Sequence, residues 1–209
     1  MRGETVPKVS DEHKQERRLQ ILEAAVTCFA RKGIHPTTMD DICEESGLSR
    51  GAVYGYFDSQ QEIIQAVLNN WEQQTKEMLR QGLEQAGEGG DLLDLFEVYF
   101  LMFDPLDDRA RNALHLDIAF KAEMLHDAAI REMGKAQAMA VEAHFVDLIR
   151  ELQQRGRIEP SLDPNYLMAC LASMHEGFKN LLAMRPELEP RKYVQTLRAI
   201  VDLAPKHQD

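Results

Sequence analysis

Glu123 and His126 stand three positions apart, a spacing that puts a carboxylate and an imidazole on one helical face, as in bundles that hold a pair of iron ions. Such a centre draws on two copies of the motif and two further glutamates, and only one copy is present, so no metal is expected there. The three cysteines, Cys28, Cys43 and Cys170, show no C-x-x-C spacing and no even-numbered disulfide framework, which suits a reducing compartment. Cys28 and Cys43 fall at apolar helical positions and read as small core residues. No H-E-x-x-H occurs, and the GEGG run at 87–90 lacks the lysine of a phosphate-cradling loop. An enzyme has no residue set to stand on, and no cofactor is expected. His115, His144 and His175 lie among apolar residues, placed either to orient a polar group on a bound small molecule or to serve as satisfied structural histidines.

The segment with the most chemical content is Thr37 to Phe57, TTMDDICEESGLSRGAVYGYF. Two short helices joined at a glycine, under a packed third helix, form a helix-turn-helix, whose second helix fits a DNA major groove. Its exposed side chains would be Arg50, Ala52, Tyr54 and Tyr56. Gly51 keeps the backbone slim near a groove, and Gly55 weakens the helix by about 1 kcal/mol relative to alanine. Periodicity alone leaves a plain helical hairpin within a bundle equally open.

The elements that must position this segment are helical throughout. Leu19, Leu22, Ala25, Val26 and Phe29 share one face of a first helix, about 12–32, stopped at Gly33. Residues 1–12 read as a mobile arm. Thr37 and Thr38, each followed three residues later by an acid, offer two registers of capping box for a short second helix with Met39, Ile42 and Cys43 on its apolar face. Ser49 can cap a third helix through about Tyr56, with Leu48, Val53 and Phe57 closing over the first two. A long helix follows over about 60–85, its stripe running through Ile63, Ile64, Val67, Leu68, Trp71, Met78 and Leu79. Beyond the break at 87–91 the pattern predicts helices over 91–103, 107–121, 124–154, 163–184 and 191–203. No strand alternation and no internal repeat is evident.

The run Thr37-Thr38, Asp41-Ile42, Gly47-Leu48-Ser49, Gly51, Tyr54 and Tyr56-Phe57, preceded by the helix end Phe29 to Gly33, resembles the DNA-binding domain of the TetR family of transcriptional regulators. The likeness covers roughly residues 15–65. It implies a homodimer with two amino-terminal DNA-reading heads and a carboxy-terminal body that binds the other subunit and a small effector. Carried over by position, Arg50, Gly51, Ala52, Tyr54 and Tyr56 fall where such proteins touch bases or phosphates, and Thr38 where the second helix meets the backbone. The helix amino termini at Thr37/Thr38 and Ser49 add partial positive charge toward phosphates. One position departs from the family pattern: Gln60 stands where a phosphate-binding lysine is usual. A neutral amide can donate a hydrogen bond but releases no counterion, so a shallower salt dependence is expected.

Net charge argues the other way. The 209 residues carry 24 Lys and Arg against 35 Asp and Glu, a formal charge of −11, unlike a typical nucleic-acid binder. Residues 1–70 hold eight basic and eleven acidic side chains. Placement then decides: Lys14, Arg17, Arg18, Arg31, Lys32 and Arg50 are expected to border the DNA face, while Asp40, Asp41, Glu44 and Glu45 face away or cap helix ends. Arg17 and Arg18 fit a solvated first-helix face equally well.

For the body, Phe96, Phe100, Phe103, Leu114, Ile118, Met139, Phe145, Met174 and Phe178, with His115, are the candidates to line an effector cavity, against the simpler reading of ordinary core. Leu167, Leu171, Met174, Phe178, Leu181 and Leu182, with Tyr193, Val194, Leu197, Ile200 and Val201, offer apolar surface on the last two helices for pairing with a twofold copy. The expectation is an all-α chain of about nine helices, with a DNA-binding domain over 1–60 and an effector-binding and dimerisation domain over 61–209. It would be a cytoplasmic repressor with partners in double-stranded operator DNA, a second copy and a small hydrophobic effector, and none in the membrane. The alternative is a helical-bundle adaptor or metal-binding protein without DNA specificity.

Overall fold

Side chains that close helix ends set most of the element boundaries. The structure, a computed structural model, describes residues 11–87, 90–104 and 106–203, the side chains at 86, 103 and 201–203 excepted. Among these residues are nine α-helices and no strand. The chain divides into two compact units, one ending at Val67 and the other beginning at Leu68. The division therefore falls inside the fourth helix, not ahead of it at residue 60. The arm expected over 1–12 lies almost wholly outside the described residues.

The first unit holds α1 (Asp11–Lys32), α2 (Met39–Ser46), α3 (Arg50–Tyr54) and the start of α4 (Gln60–Ala86). Ile21, Leu22, Ala25, Cys28 and Phe29 recur at helical spacing and are buried, as are Ile42 of α2 and Val53 of α3. Each such large aliphatic or aromatic side chain contributes about 1.5–3 kcal/mol through burial. Thr38 caps α2 in one of the two expected registers: its Oγ1 accepts the Asp41 N–H at 3.2 Å, and the Asp41 carboxylate accepts the Thr38 N–H at 2.9 Å. Gly47 leaves α2 at φ +67°, a left-handed conformation that glycine adopts without steric cost, and this turns the chain into α3. Gln20 of α1 donates to the carbonyl of Ser46 at 2.7 Å and so ties α1 to that same turn.

The third helix is shorter than its pattern suggested, ending at Tyr54. The Gly55 N–H is shared between the carbonyls of Gly51 and Ala52 at 3.1 and 3.2 Å, and the Tyr56 N–H reaches Val53 at 3.0 Å, so the last turn tightens out of the α form.

The second unit holds the rest of α4, then α5 (Leu92–Phe100), a single 3-10 turn (Leu101–Phe103), α6 (Asp108–Glu123), α7 (Ala128–Gln154), α8 (Pro164–Met184) and α9 (Pro190–Leu203). The helix expected over 124–154 begins later, at Ala128. Asp127 is the reason, since its carboxylate accepts the N–H groups of Ala129 and Ile130 at 2.8 and 3.0 Å and opens a new helix there. Arg131 closes the end of α6 by donating to the carbonyls of Met124 and Leu125 at 2.7 and 3.2 Å. One hydrophobic cluster joins these helices, with Leu95, Phe100, Phe145, Ile149 and Phe178 almost wholly enclosed. Among the described residues, no helix is long and apolar enough to cross a membrane.

Candidate nucleic-acid interface

Ser49 starts α3 from an extended conformation, its hydroxyl accepting the Ala52 N–H at 3.2 Å. Five residues give α3 little more than one turn. Val53 is its anchor, wholly buried, and the opposite side is left to solvent: Arg50, Gly51 and Tyr54 are exposed, Ala52 and Tyr56 half-buried. A Cβ built on Gly51 would meet nothing within 4 Å, so the backbone there borders open space. Of the residues picked out by spacing, Arg50, Gly51 and Tyr54 are thus open to solvent.

Two other candidates are withdrawn from that surface. Thr37 is 2% exposed, and its hydroxyl donates to the Gly33 carbonyl at 2.7 Å, closing the turn after α1. It cannot touch DNA without dismantling that turn. Gln60 donates its amide to the carbonyls of Ile34 at 2.6 Å and Thr37 at 2.8 Å, so the donor expected for a phosphate is spent within the protein. Thr38, by contrast, is exposed at the amino end of α2.

The charges differ in part from expectation: Asp41 caps α2 as expected, but Asp40, Asp41 and Glu45 do not turn away from the basic residues. Asp40 takes the guanidinium of Arg50 in a two-point pair, with Nε to Oδ1 at 2.5 Å and Nη2 on Oδ2. Asp41, besides its capping role, receives Lys32 Nζ at 2.5 Å, and Glu45 receives Arg31 at 3.0 Å. The Lys32 and Thr38 hydrogen bonds hold the Asp41 carboxyl down at about 2. Arg18 lies over the ring of Phe57, 5.0 Å from its centroid, which makes it part of the packing of the first unit. Arg31, Lys32 and Arg50 are thus each paired with an acid of α2.

In the second unit, Phe96, Phe100, Leu114, Phe145 and Phe178 are buried in the common cluster, and Ile118 packs against it. His115, Met139 and Met174 are exposed, Met139 at 69%, and so cannot line an enclosed site within one chain. Met139 instead borders an open groove of about 380 Å3 between α7 and α8, with Val146 and Met168. The side chain of Phe103 lies outside the described residues. Of the polar groups in the core, His175 and Tyr193 were singled out from the sequence, whereas Tyr99, Asp117 and Lys179 were not. Tyr99 stacks on His175 with centroids 3.8 Å apart, and Tyr193 stacks on Phe178 at 4.3 Å. Lys179, 5% exposed, reaches Asp117 at 2.7 Å and Glu176 at 2.6 Å, and Lys121 reaches Asp117 at 2.8 Å. Burial alone would raise the Asp117 carboxyl, but the two ammonium groups hold it below its ordinary range. Burial pushes His175 well below the usual imidazole value, with Lys179 acting in the same direction. The i, i+4 pairs Asp117/Lys121 and His175/Lys179 were the available signals for this cluster.

Helix α8 has two apolar faces. Leu171, Phe178 and Leu182 point into the unit, as does Val194 of α9, whereas Tyr166, Met174, Leu181 and Met184 are exposed along the other side of α8, with Ile200 exposed on α9. The residues proposed for pairing with a second copy therefore separate into a buried set and an outer set. Val201 lies outside the described side chains. Among the described residues, no group of three or more His, Cys, Asp or Glu is gathered for a metal ion.

Residues 21–67 match the family described as bacterial regulatory proteins, tetR family, and residues 97–204 match the BetI-type transcriptional repressor, C-terminal. The chain is 31% identical over 175 residues to the uncharacterized HTH-type transcriptional regulator YfiR of Bacillus subtilis, an alignment covering 82% of each. Among solved structures it is similar to Salmonella enterica GusR, with TM-score 0.73, 24% identity, and coverage of 92% of this chain and 96% of that one. It is also similar to the SmeT–triclosan complex, with TM-score 0.66, 25% identity and coverage of 83% of each chain.

Proposed function

The chain belongs to the TetR family of DNA-binding transcriptional regulators, which are not enzymes, and from that premise we propose that it is a cytoplasmic repressor released from its operator by a small, largely hydrophobic effector. In this reading α3 enters the major groove, with Arg50, Gly51, Ala52, Tyr54 and Tyr56 on the DNA and Thr38 and Ser49 beside phosphates. The observation that carries it is the division of α3 into one buried anchor, Val53, and a bare outer side. The BetI-type repressor match supports the sign of regulation.

The effector site is assigned to the aromatic cluster of the second unit, with Phe96, Phe100, Leu114, Ile118, Phe145 and Phe178 as walls. A relative whose structure is a triclosan complex supports an apolar aromatic ligand. Pairing of two copies is assigned to the outer face of α8 with α9, since Tyr166, Leu181, Met184 and Ile200 otherwise leave large apolar side chains in water. Helix α4 runs without a break from the first unit into the second, so a shift of α4 on effector binding would alter the spacing of the two recognition helices.

Selecting bound duplexes from a random-sequence pool, then titrating by fluorescence anisotropy, tests the reading. The expected product is a twofold-symmetric sequence whose half-sites repeat on the helical turn of about 34 Å. Absence of any enriched sequence overturns it. A thermal-shift screen begun with triclosan supplies the ligand arm, and a ligand that binds tightly without weakening operator affinity overturns the release mechanism.

A further inference from the structure

Three carboxylates of α2 each hold a cation, but they do not do the same thing. Asp41 and Glu45 hold Lys32 and Arg31 of α1, which fastens two helices of the unit together. Asp40 holds Arg50, the first residue of α3. Both partners are open to solvent, with side-chain exposures of 59% for Asp40 and 68% for Arg50, so the pair does not help to fill a core. Its geometry is specific, since Nε and Nη2 of Arg50 meet the two carboxylate oxygens edge to edge. That engages one edge of the guanidinium plane. Nη1 and the outer hydrogen of Nη2 remain as a second parallel pair of donors.

Resting on the DNA-reading function above, we propose that Asp40 determines the sequence specificity of Arg50. An arginine without a partner binds a phosphate wherever it meets one, because that attraction needs only charge. Clamped to a carboxylate, Arg50 belongs to a pair with no net charge and keeps its directional donors. The outer edge then suits the paired O6 and N7 acceptors of a guanine, which take two parallel N–H groups in the major groove. Asp40 thus trades nonspecific attraction for recognition of one base pair. The operator is expected to carry a guanine at the position facing Arg50.

The test uses the full chain, the selected operator, and a random duplex of equal length, titrated between about 50 and 200 mM salt. Asp40→Asn keeps the shape and removes the charge. It is expected to tighten binding to the random duplex about tenfold, steepen the salt slope by about 0.9, and cut the operator-to-random ratio about tenfold, with the loss concentrated at that guanine. Glu44→Gln, the same charge change one turn along α2 and outside the Arg50 pair, is expected to shift both duplexes equally. In an Arg50→Ala background, Asp40→Asn is expected to behave like Glu44→Gln, which ties the effect to Arg50 and not to bulk charge. Equal shifts for Asp40→Asn and Glu44→Gln, or an undiminished Asp40→Asn effect without Arg50, overturn the proposal while the DNA-reading function stands. A wild-type chain with no preference between operator and random duplex overturns that function and the proposal with it.

Discussion

The side-chain amide of Gln60, at the first position of α4, lies 2.8 Å from the carbonyl oxygen of Thr37 and 2.6 Å from that of Ile34. It therefore fastens the loop between α1 and α2 to the start of α4. Gln60→Ala withdraws a donor from both carbonyls, and the first unit should lose about 1–2 kcal/mol. Urea unfolding followed by far-ultraviolet circular dichroism checks this; an unchanged midpoint would show that the tie contributes nothing.

Thr37 is expected to matter for stability and not for DNA. Thr37→Val keeps the shape and removes the hydroxyl that donates to Gly33 at 2.7 Å. The expected cost is about 1 kcal/mol of unfolding free energy, with operator affinity per folded molecule unchanged. A weakened operator complex from a fully folded variant would restore Thr37 to the DNA surface.

Gly51 separates folding from binding in the opposite way. A side chain there meets no neighbour within 4 Å, so Gly51→Leu should not destabilise the fold, and helix propensity alone would raise stability by up to about 1 kcal/mol. Operator affinity should fall at least tenfold, about 1.4 kcal/mol, because the added side chain occupies the space a groove would fill. Anisotropy titration beside a melting curve reads both, and unimpaired binding would mean that α3 does not approach DNA closely.

Acid sensitivity of the second unit should trace to His175. Burial lowers its folded-state pKa below the ordinary 6.5, so the folded state resists a proton that the unfolded chain accepts. Stability from this group is thus fully present above about 6.5 and drains away as pH falls below that value. Trp71, the one tryptophan, lies in this unit and reports its unfolding. His175→Phe should flatten the decline between about pH 6.5 and 5, and an identical pH profile would reject the assignment.

The outer face of α8 should govern assembly. Leu181→Glu combined with Met184→Glu puts two charges among exposed apolar side chains without touching the buried Leu182. Sedimentation velocity is expected to show a dimer for the wild-type chain and a monomer for the variant. A wild-type monomer, or a variant dimer of undiminished affinity, would assign the seam elsewhere.

Much of the architecture could be read before any coordinates. Caps at Thr38 and Ser49, the stop at Gly47, and the i, i+4 stripe of α1 are local features, decided by residues within a turn of one another. Where local patterns overlapped, reading by spacing blurred. The apolar run from Met124 onward continues smoothly through Asp127, and only the capture of two N–H groups by that carboxylate shows that a new helix starts there.

Helix content and the helix-turn-helix follow from the order of residue types, because they depend on neighbours close along the chain. Which donors stay available does not. Gln60 and its carbonyl partners are 26 and 23 positions apart, Arg50 and Asp40 ten, Lys179 and Asp117 sixty-two. Hydrogen bonds and ion pairs consume a group's capacity only when folding brings its partner within about 3 Å, and no pattern of nearby residues records that meeting. A glutamine, an arginine and a lysine that look equally free in one dimension therefore came to three separate uses in the packed chain.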